Sequence, residues 1–531
     1  MSDDVDVLVV GAGPSGSVAA HTLATRGFSV KCLEQGDWVN PGDMPGAKPE
    51  FELLTRSSWA WDPNVRGRAE DYPLNNAEAD IPPTMFGAVG GSSVIFGAHW
   101  MRLLPSDFRL RSLDGICDDW PISYDDVEPF YREVDAFIGV SGLGGDPAYP
   151  PTEFPMPPMP MGRAGMQVAT GMNKLGWHWW PGTNAIPSWP YKHMAQCVRW
   201  GVCERGCPAG AKASFDLGYW PHATRAGAEL VTGARVARVT VDRRGLATGA
   251  TWFDRHGGEH QTRASAVILA ANGIGTPRVL LMSNDHNPDG LANSSGVVGR
   301  NLMMHPGAGA IGVYDEEIQS WHGPAGQLMY SLEFYETDVS RGFYRGSKWN
   351  LMPIPGVLNV LETFKERPFE ERWGSHLHEL ARYAGKAVGW FSNIEDLPEP
   401  HNRVTLDPDL LDSTGLPCPR IHYRYSENTK RNLEFANDRM MESHEAAGAV
   451  HTFLAPKVPS GHLLGTARMG KDPETSVVDS FGRSHDVPNL FIVDGSVMVT
   501  CGAVNPTATI AALALRCARH IAETARDLSS N

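Results

Sequence analysis

The amino-acid sequence predicts an α/β fold with two parts, a parallel-sheet domain assembled from distant segments and a second domain of the α+β type. Three observations lead to this prediction. A β-branched run at the start of the chain enters a Gly-rich turn and an Ala-rich helix. Another apolar run and a long amphipathic helix close the chain. The stretch from residue 311 to about residue 454 lacks signals of this kind.

The first unit has the order of a Rossmann-like βαβ unit. Val5–Val10 (VDVLVV) suits a buried parallel strand and leads into the turn GAGPSG. In that turn Gly11 allows the tight bend, Gly13 lets the backbone approach a pyrophosphate, and Gly16 lets helix and strand pack closely. The second strand ends at Glu34, an acid placed to hydrogen-bond a ribose hydroxyl. The unit therefore predicts dinucleotide binding, without choosing between NAD and FAD.

The end of the chain carries a second group of signals. Asn489–Gly495 (NLFIVDG) is typical of a buried strand that ends in an acid and a turn. Asn505 and Pro506 then open a helix predicted over residues 507 to about 525. Because Asn is a favoured N-cap and Pro a favoured first helical residue, the pair can also be simply a well-made helix start. Upstream, His462 lies in GHLLGTARMG, where a histidine beside glycines is structural or catalytic.

Composition excludes several classes of protein. The 531 residues are 42% hydrophobic, with 46 basic and 61 acidic side chains and a net charge of −15. Nucleic acid is an unexpected partner, since its binding depends on Lys and Arg at phosphates. No run approaches the roughly 20 apolar residues that span a bilayer. The sequence opens without a charged n-region and apolar h-region, so we expect no secretory signal and a cytoplasmic protein.

Four ordered motifs resemble those of the glucose–methanol–choline (GMC) flavin oxidoreductases, over nearly the whole chain. They are the GAGPSG turn, Gly90–Ser93 (GGSS), Ala270–Pro277 (AANGIGTP), and the C-terminal region from His462 to Asn505. The resemblance implies a GMC fold, with a Rossmann-like FAD-binding domain built from discontinuous segments and an α+β substrate-binding domain. We expect the FAD-binding domain in residues 1–50, 82–125, 210–310 and 455–531, and the substrate-binding domain in 126–209 and 311–454.

The resemblance also implies the site residues. His462 and Asn505 fall on the catalytic pair of the family, in its His–Asn form. Val236 falls on the position that meets the adenine, and Asp494 on the position near the ribityl chain or the diphosphate. The implied cofactor-binding residues are Gly11, Gly13, Ser15, Gly16, Glu34, Gly91, Ser92, Ser93, Val236, Asp494, Asn505, Pro506 and Thr507.

The expected chemistry needs these residue types. Oxidation of an alcohol removes the hydroxyl proton while a hydride passes from carbon to the flavin. A neutral imidazole, here that of His462, is a natural base for the proton. The amide of Asn505 can donate a hydrogen bond to the substrate oxygen but cannot act as the base. Some relatives tether FAD to a histidine four residues after the paired glycines; that position is Ile95 here, which predicts non-covalent FAD.

Three cysteines form the only cysteine cluster in the sequence. Cys197, Cys203 and Cys207 precede the run PAGAK. The spacing resembles a subgroup of GMC dehydrogenase subunits that hold a [3Fe-4S] cluster, and three thiolates on a Gly-rich loop can ligate iron. The alternative interpretation is a packed, cysteine-containing loop without metal.

The substrate is left open by the sequence. The segment from Phe96 to Ser123 is most similar to the sugar branch of the family, which implies oxidation of a secondary hydroxyl of a sugar, glycoside or polyol. An aromatic or alicyclic alcohol is the second hypothesis, and a non-catalytic flavin electron-transfer protein the third. Oxygen or an external carrier would accept the electrons, and the oligomeric state is unknown. A pyridine-nucleotide–flavin reductase is disfavoured because no second strand–GxGxxG–helix unit is present.

Two further patterns have competing explanations. The tryptophans Trp177, Trp179, Trp180, Trp189 and Trp200 can line a sugar-binding surface or simply pack in the core. His376 and His378 are left unassigned, because two histidines two residues apart are usually surface residues. Residues 402–407 and 419–423 are predicted to form paired strands within a sheet that carries helices over one side.

Overall fold

The computed structural model describes residues 4–363, 370, 373–457 and 459–529. Its strands are β1 Asp4–Val10, β2 Val30–Glu34, β3 Asn75–Ala79, β4 Trp180–Pro181, β5 Glu229–Thr232, β6 Arg235–Val241, β7 Ala247–Phe253, β8 Glu259–Leu269, β9 Gly309–Val313, β10 Met329–Ser331, β11 Ser347–Pro353, β12 Ala387–Ile394, β13 Arg403–Leu411, β14 Pro417–Tyr423, β15 His451–Leu454 and β16 Leu490–Ile492. Its α-helices are α1 Pro14–Ala24, α2 Phe51–Leu54, α3 Pro63–Arg66, α4 Leu110–Asp114, α5 Tyr124–Ile138, α6 Gly162–Leu175, α7 Phe215–Gly218, α8 Trp220–Arg225, α9 Asn272–Met282, α10 Val357–Glu362, α11 Ser375–Ala381, α12 Glu427–Ala446 and α13 Thr507–Ser529.

A seven-stranded sheet collects strands from both ends and the middle of the chain. Its order is β5-β2-β1-β8-β7-β6, with β16 also paired to β8. The strands β5, β2, β1, β8 and β16 run parallel, whereas β7 and β6 form an antiparallel extension. The residues Val7–Val10 of β1 are buried, as expected of a parallel strand covered on both faces. The predicted βαβ unit is confirmed by β1, α1 and β2.

A six-stranded antiparallel sheet forms most of the remaining structure. Its order is β15-β9-β12-β11-β10-β4, and a core cluster packs α6 and α12 onto one face. The prediction of helices over one side was incomplete, because α10 and α11 cover part of the other face. Successive side chains of β9 point to opposite faces of the sheet. Ile311 and Val313 therefore point away from α12 and are buried with Val360 and Leu380 in a separate cluster.

A three-stranded sheet contains the predicted strand pair. β13 and β14 are antiparallel, with Val404 opposite Ile421, and β3 adds to β14 in parallel. Pairing over residues 402–407 and 419–423 is therefore confirmed, but the pair lies in this separate sheet and not in the sheet that carries α6 and α12. The strands of the seven-stranded sheet all come from segments expected in the FAD-binding domain, which supports the proposed division into two interleaved domains.

The helices that cover the seven-stranded sheet bring the first and last helices of the chain into contact. The C-terminal helix α13 packs against α1 and against α5, so the last helix shares a core with the first. Within the described part of the chain, no helix has the length and apolar character that crossing a membrane requires.

Candidate active site

A cavity of about 630 Å³ is lined by the carboxyl ends of β1, β2 and β8 and by residues of β11 and β12 from the six-stranded sheet. Position at the carboxyl ends of parallel strands is typical of cofactor sites in α/β proteins. The cavity wall includes the predicted residues Gly11, Gly13, Ser15, Glu34, Gly91, Ser92, Ser93, Val236, His462, Asp494, Asn505, Pro506 and Thr507. Gly16 is the predicted cofactor-binding residue that does not line the cavity.

The glycines of the first turn are needed for close backbone packing. Gly11 has φ of +101°, and a Cβ there would lie 2.5 Å from the carbonyl oxygen of Ala270 on the neighbouring strand. A Cβ on Gly16 would lie 1.9 Å from the carbonyl oxygen of Gly11. A Cβ on Gly91 would lie 3.0 Å from the Cα of Gly13. The two glycine turns therefore pack directly against each other, and both present backbone without side chains to the cavity, as close approach of a diphosphate requires.

Two acids are held at the ends of their strands. Glu34 is buried, and its carboxylate accepts hydrogen bonds from the Ala12 N–H at 2.7 Å and the Gly36 N–H at 2.8 Å. Asp494 accepts hydrogen bonds from the Thr276 hydroxyl at 2.5 Å and the Ser496 hydroxyl at 2.6 Å. Burial raises the pKa of both carboxyls, against the opposing effect of these hydrogen bonds. Each carboxylate stabilises the backbone at the end of its strand through these hydrogen bonds and still lines the cavity.

Ser92 and Ser93, two of the three predicted serines, have hydrogen-bond partners inside the protein. The Ser92 hydroxyl oxygen accepts a hydrogen bond from the Phe86 N–H at 3.1 Å. The Ser93 hydroxyl donates to the Gly90 carbonyl at 2.6 Å and accepts from the Phe215 N–H at 2.9 Å. The serines therefore fix the second glycine turn, which is a structural task that the sequence pattern does not reveal.

His462 is joined to a histidine that sequence reasoning missed. The Nδ1 atoms of His462 and His305 are 2.7 Å apart, and His305 Nε2 lies 2.6 Å from the Gly502 carbonyl oxygen. Because a carbonyl can only accept, His305 must carry its proton on Nε2. A neutral His305 then accepts at Nδ1, so His462 donates from Nδ1 and keeps an unprotonated Nε2.

Burial keeps both histidines neutral. Burial lowers the pKa of His305 to about 4. Burial, followed by the effects of His305 and His99, lowers the pKa of His462 well below its usual range. The unprotonated His462 Nε2 faces the Asn505 amide nitrogen at 3.5 Å. The site therefore presents a basic nitrogen and an N–H donor side by side.

Asn505 is oriented by two donors. Its Oδ1 accepts hydrogen bonds from Lys348 Nζ at 3.0 Å and from Asn393 Nδ2 at 3.0 Å. With the carbonyl side of the amide occupied, the amide N–H₂ must point toward His462. Lys348 is fully buried, and its ammonium has no carboxylate partner in the residues described. Burial lowers the pKa of Lys348 well below its usual range.

The sequence predicted His462 and Asn505, which the structure places side by side, but the residues that orient them were missed. His305 follows the loop Leu302–Met304, and Lys348 and Asn393 lie on β11 and β12 of the other sheet. None of them belongs to a glycine-rich motif or to a recognisable spacing. The β11 sequence SKWNLMP also contains Ser347 and Asn350, so no local pattern marks Lys348 in advance.

The cysteine loop borders the cavity without forming a metal site. Cys203 is buried, and the sulfurs of Cys197 and Cys207 accept hydrogen bonds from nearby backbone N–H groups. In the ranges that the structure describes, no group of three His, Cys, Asp or Glu side chains is placed to hold a metal ion. The hypothesis of a [3Fe-4S] cluster therefore gains no support, and the alternative of a packed, cysteine-containing loop stays open. Lys212 ties the loop down by donating to the Cys203 carbonyl at 2.7 Å.

The tryptophan cluster lies outside the cavity wall. Trp177 packs against Phe334 and Trp349, while Trp189 and Trp200 are exposed. Core packing is therefore the better interpretation of Trp177. His376 and His378 lie on the exposed side of α11 and remain unassigned.

The fold and the site together define a dinucleotide-dependent oxidoreductase. Family models described as GMC oxidoreductase match residues 5–307 and 398–514. The chain is 41% identical to 2-methyl-1,2-propanediol dehydrogenase of Mycolicibacterium austroafricanum, over 99% of this chain and 97% of the relative. It is 32% identical to the fructose dehydrogenase large subunit of Gluconobacter japonicus, over 97% of each. Formate oxidase of Aspergillus oryzae RIB40 superimposes with a TM-score of 0.67 at 16% identity, over 99% of both chains. The chain belongs to the GMC oxidoreductase family and is an oxidoreductase that acts on CH–OH groups.

The family implies FAD, and the cavity fits it. The cavity wall formed by the glycine turns at Gly13 and Gly91 has no side chains, and a diphosphate needs such close backbone approach. Glu34 and Val236 border the same cavity as the catalytic pair, so one elongated ligand can reach both regions. The residues present therefore suit a dinucleotide with a redox-active ring near His462.

Proposed function

We propose that the protein oxidises a secondary hydroxyl of a sugar, glycoside or polyol to a carbonyl, with His462 as the base. The observation that carries the proposal is the unprotonated His462 Nε2 beside the Asn505 amide N–H, within the cavity that fits FAD. The relatives named for a propanediol and for fructose support a substrate with several hydroxyl groups.

The residues of the chain divide the work as follows. When bound, FAD supplies the acceptor for the hydride that leaves the substrate carbon. The Asn505 N–H₂ donates to the substrate oxygen and holds the carbinol in place. His462 Nε2 takes the hydroxyl proton, and its Nδ1–H, held by His305, keeps the ring in the productive orientation. Lys348, donating to Asn505 Oδ1, polarises the amide and strengthens its N–H donation as negative charge develops on the oxygen.

Two other functions remain as alternatives. An aromatic or alicyclic alcohol fits the apolar part of the wall, which includes Trp61, Phe96 and Phe391. A non-catalytic flavin protein has no need of the ordered contacts around His462 and Asn505. Oxygen or an external carrier takes the electrons from the reduced enzyme.

Replacement of His462 tests the proposal directly. We expect His462→Ala to slow flavin reduction by about 10²–10⁴-fold, because a positioned base contributes roughly this factor. FAD content should stay at the wild-type level, since the diphosphate cleft is untouched. The measurement is anaerobic stopped-flow bleaching of the flavin by a panel of polyols, sugars and aryl alcohols. Bleaching at the wild-type rate by the best substrate would remove His462 from the base role.

The attachment of FAD is a separate prediction. Ile95 stands where some relatives carry a histidine that bonds the flavin, and its side chain offers no nucleophile. We therefore propose non-covalent FAD, which acid precipitation should release into the supernatant as yellow colour. A yellow pellet after precipitation and washing would contradict this.

A further inference from the structure

Glu204 places a carboxylate without a protein partner in the cavity wall. No hydrogen bond or ion pair reaches its carboxylate from the residues described, although its backbone is held firmly. The Trp61 indole donates to the Glu204 carbonyl at 3.3 Å, and Lys212 holds the preceding carbonyl of Cys203. Burial raises the pKa of Glu204 to about 7, against the opposing effect of Arg205 and Lys212. The cysteine loop therefore presents a fixed acceptor to the cavity.

His99 contributes a second acceptor. Its Nδ1 lies 3.2 Å from Asn350 Oδ1, and the Asn350 amide nitrogen donates to the Phe391 carbonyl at 3.2 Å. This orientation of Asn350 requires His99 to donate from Nδ1. Burial lowers the pKa of His99 to about 3, so the ring is neutral and Nε2 is an acceptor. His99 Nε2 is buried and has no partner in the described chain.

The two acceptors border one gap next to the catalytic pair. A Cβ on Gly97 would lie 2.9 Å from His99 Nε2 and 3.2 Å from Glu204 Oε1, so only the absence of a side chain leaves this space open. Asn505 is among the groups that act on the pKa of His99, and His99 in turn lowers the pKa of His462. Because His99 and Glu204 line the same cavity as His462 and Asn505, the gap opens into the space where the reacting hydroxyl would lie.

We propose that Glu204 and His99 form a subsite that accepts hydrogen bonds from a second hydroxyl, adjacent to the one being oxidised. The inference rests on the proposed function and narrows its substrate to polyols with neighbouring hydroxyl groups. His99 Nε2 is a buried acceptor without a partner, which is costly, and the partly exposed Glu204 carboxylate adds a second unpaired acceptor at the same gap, so the gap suits a ligand that brings donors. An isolated alcohol leaves both acceptors unpaired and should be a poor substrate.

The test compares substrates that differ by one hydroxyl. The pairs are butane-2,3-diol with butan-2-ol, and D-glucose with 2-deoxy-D-glucose. For the holoenzyme we expect kcat/KM to favour the hydroxyl-bearing member by at least about tenfold, since a site built to bind a hydroxyl discriminates strongly against its absence. Glu204→Leu should bring that ratio close to one. Glu204→Gln, which keeps one acceptor oxygen, should give an intermediate ratio and controls for folding.

Glu362→Gln is the matched control. Glu362 also lines the cavity, but its carboxylate is paired with Arg56 at 3.5 Å, so the ratio should stay at the wild-type value. A wild-type ratio near one, or an unchanged ratio in Glu204→Leu, would overturn the subsite while leaving alcohol oxidation intact. If no member of either pair bleaches the flavin, the proposed polyol oxidation fails, and the subsite fails with it.

Discussion

The tautomer of His462 is determined by the Gly502 carbonyl, which contacts His305 and not His462 itself. The two Nδ1 atoms at 2.7 Å need one proton between them, and the Gly502 carbonyl determines which ring supplies it. If both rings were protonated at Nδ1, two N–H groups would face each other at that distance. This contact keeps the proton of neutral His462 on Nδ1 and the lone pair on Nε2, whereas burial, followed by the effects of His305 and His99, resists a second proton.

Replacement of His305 by phenylalanine tests this dependence. His305→Phe keeps a ring of similar size but removes the acceptor, so His462 can turn or change tautomer. We expect flavin reduction to slow by about 10–100-fold with FAD content unchanged. The base is active when unprotonated, so activity is lost as the pH falls through the pKa of His462. That pKa is well below 6.5 in the wild type and should rise in the variant, because the lowering effect of His305 is gone.

The pH dependence of the flavin reduction rate distinguishes a positioning role of His305 from a general loss of structure in the variant. The acidic limb of the reduction rate should move to higher pH in His305→Phe. His444→Phe is the control, since His444 is also buried and has a pKa lowered to about 4, but contacts Tyr314 and lies outside the cavity wall. A profile of unchanged shape in His305→Phe would mean that the histidine only fills space.

At the scale of single elements, the sequence predicted what local chemistry determines. The β1–α1–β2 unit and the start of α13 could be found because glycine spacing, N-caps and apolar runs act within a few residues. Lys348 and Asn393 could not be found, because they reach Asn505 only after β11 and β12 of another sheet approach the start of α13. His305 was missed for the same reason, because its partners His462 and Gly502 are distant in the chain.

The close packing of α1 on the first turn gives a prediction for this element. A Cβ on Gly16 would meet the Gly11 carbonyl oxygen at 1.9 Å, so α1 must move away from the turn in Gly16→Ala. We expect a loss of about 1–3 kcal/mol in the free energy of unfolding, together with loss of FAD. Chemical denaturation and the flavin-to-protein absorbance ratio measure the two effects.

Gly176→Ala is the matched substitution. Gly176 ends α6 with φ of +71° and has no atom within 4 Å of its virtual Cβ, so only the backbone strain, about 1 kcal/mol, applies. FAD should remain bound. Gly16→Ala with full flavin content and stability equal to that of Gly176→Ala would show that the turn can relax.

At the scale of the whole molecule, one buried arginine connects the parts that build the site. Arg345 donates to Asp107 at 2.6 Å, to Glu395 at 2.8 Å and to Glu336 at 2.9 Å. Asp107 belongs to a segment assigned to the FAD-binding domain, whereas Glu395 follows β12 of the six-stranded sheet. The Tyr335 hydroxyl donates to Asp107 and accepts from the Ala503 N–H at 3.1 Å. The network therefore reaches the loop that carries Asn505.

Arg345 is the basic partner of three acidic side chains in this network. The contribution of the network to the free energy of unfolding therefore depends on pH. Burial and the neighbouring Glu395 raise the pKa of Asp107 to about 7, although Arg345 opposes the shift. An acid whose pKa is higher in the folded state than in the unfolded state loses stability as the pH rises between the two values. Without Arg345 the pKa of Asp107 must rise further, so the loss should become steeper.

Arg345→Met should therefore cost about 3–5 kcal/mol in the free energy of unfolding near neutral pH, because it leaves buried carboxylates without their partner. The deficit should shrink as the pH falls from about 9 to about 6, because below the wild-type pKa of about 7 Asp107 is protonated with or without Arg345. Urea denaturation of both proteins across this range measures the deficit. Arg244→Met is the control: its partner Asp242 is at 3.0 Å, but Arg244 is 78% exposed, so the cost should stay below about 1 kcal/mol at every pH. A deficit that is constant with pH would mean that packing around Arg345, and not its charge, holds the two sheets and the Asn505 loop together.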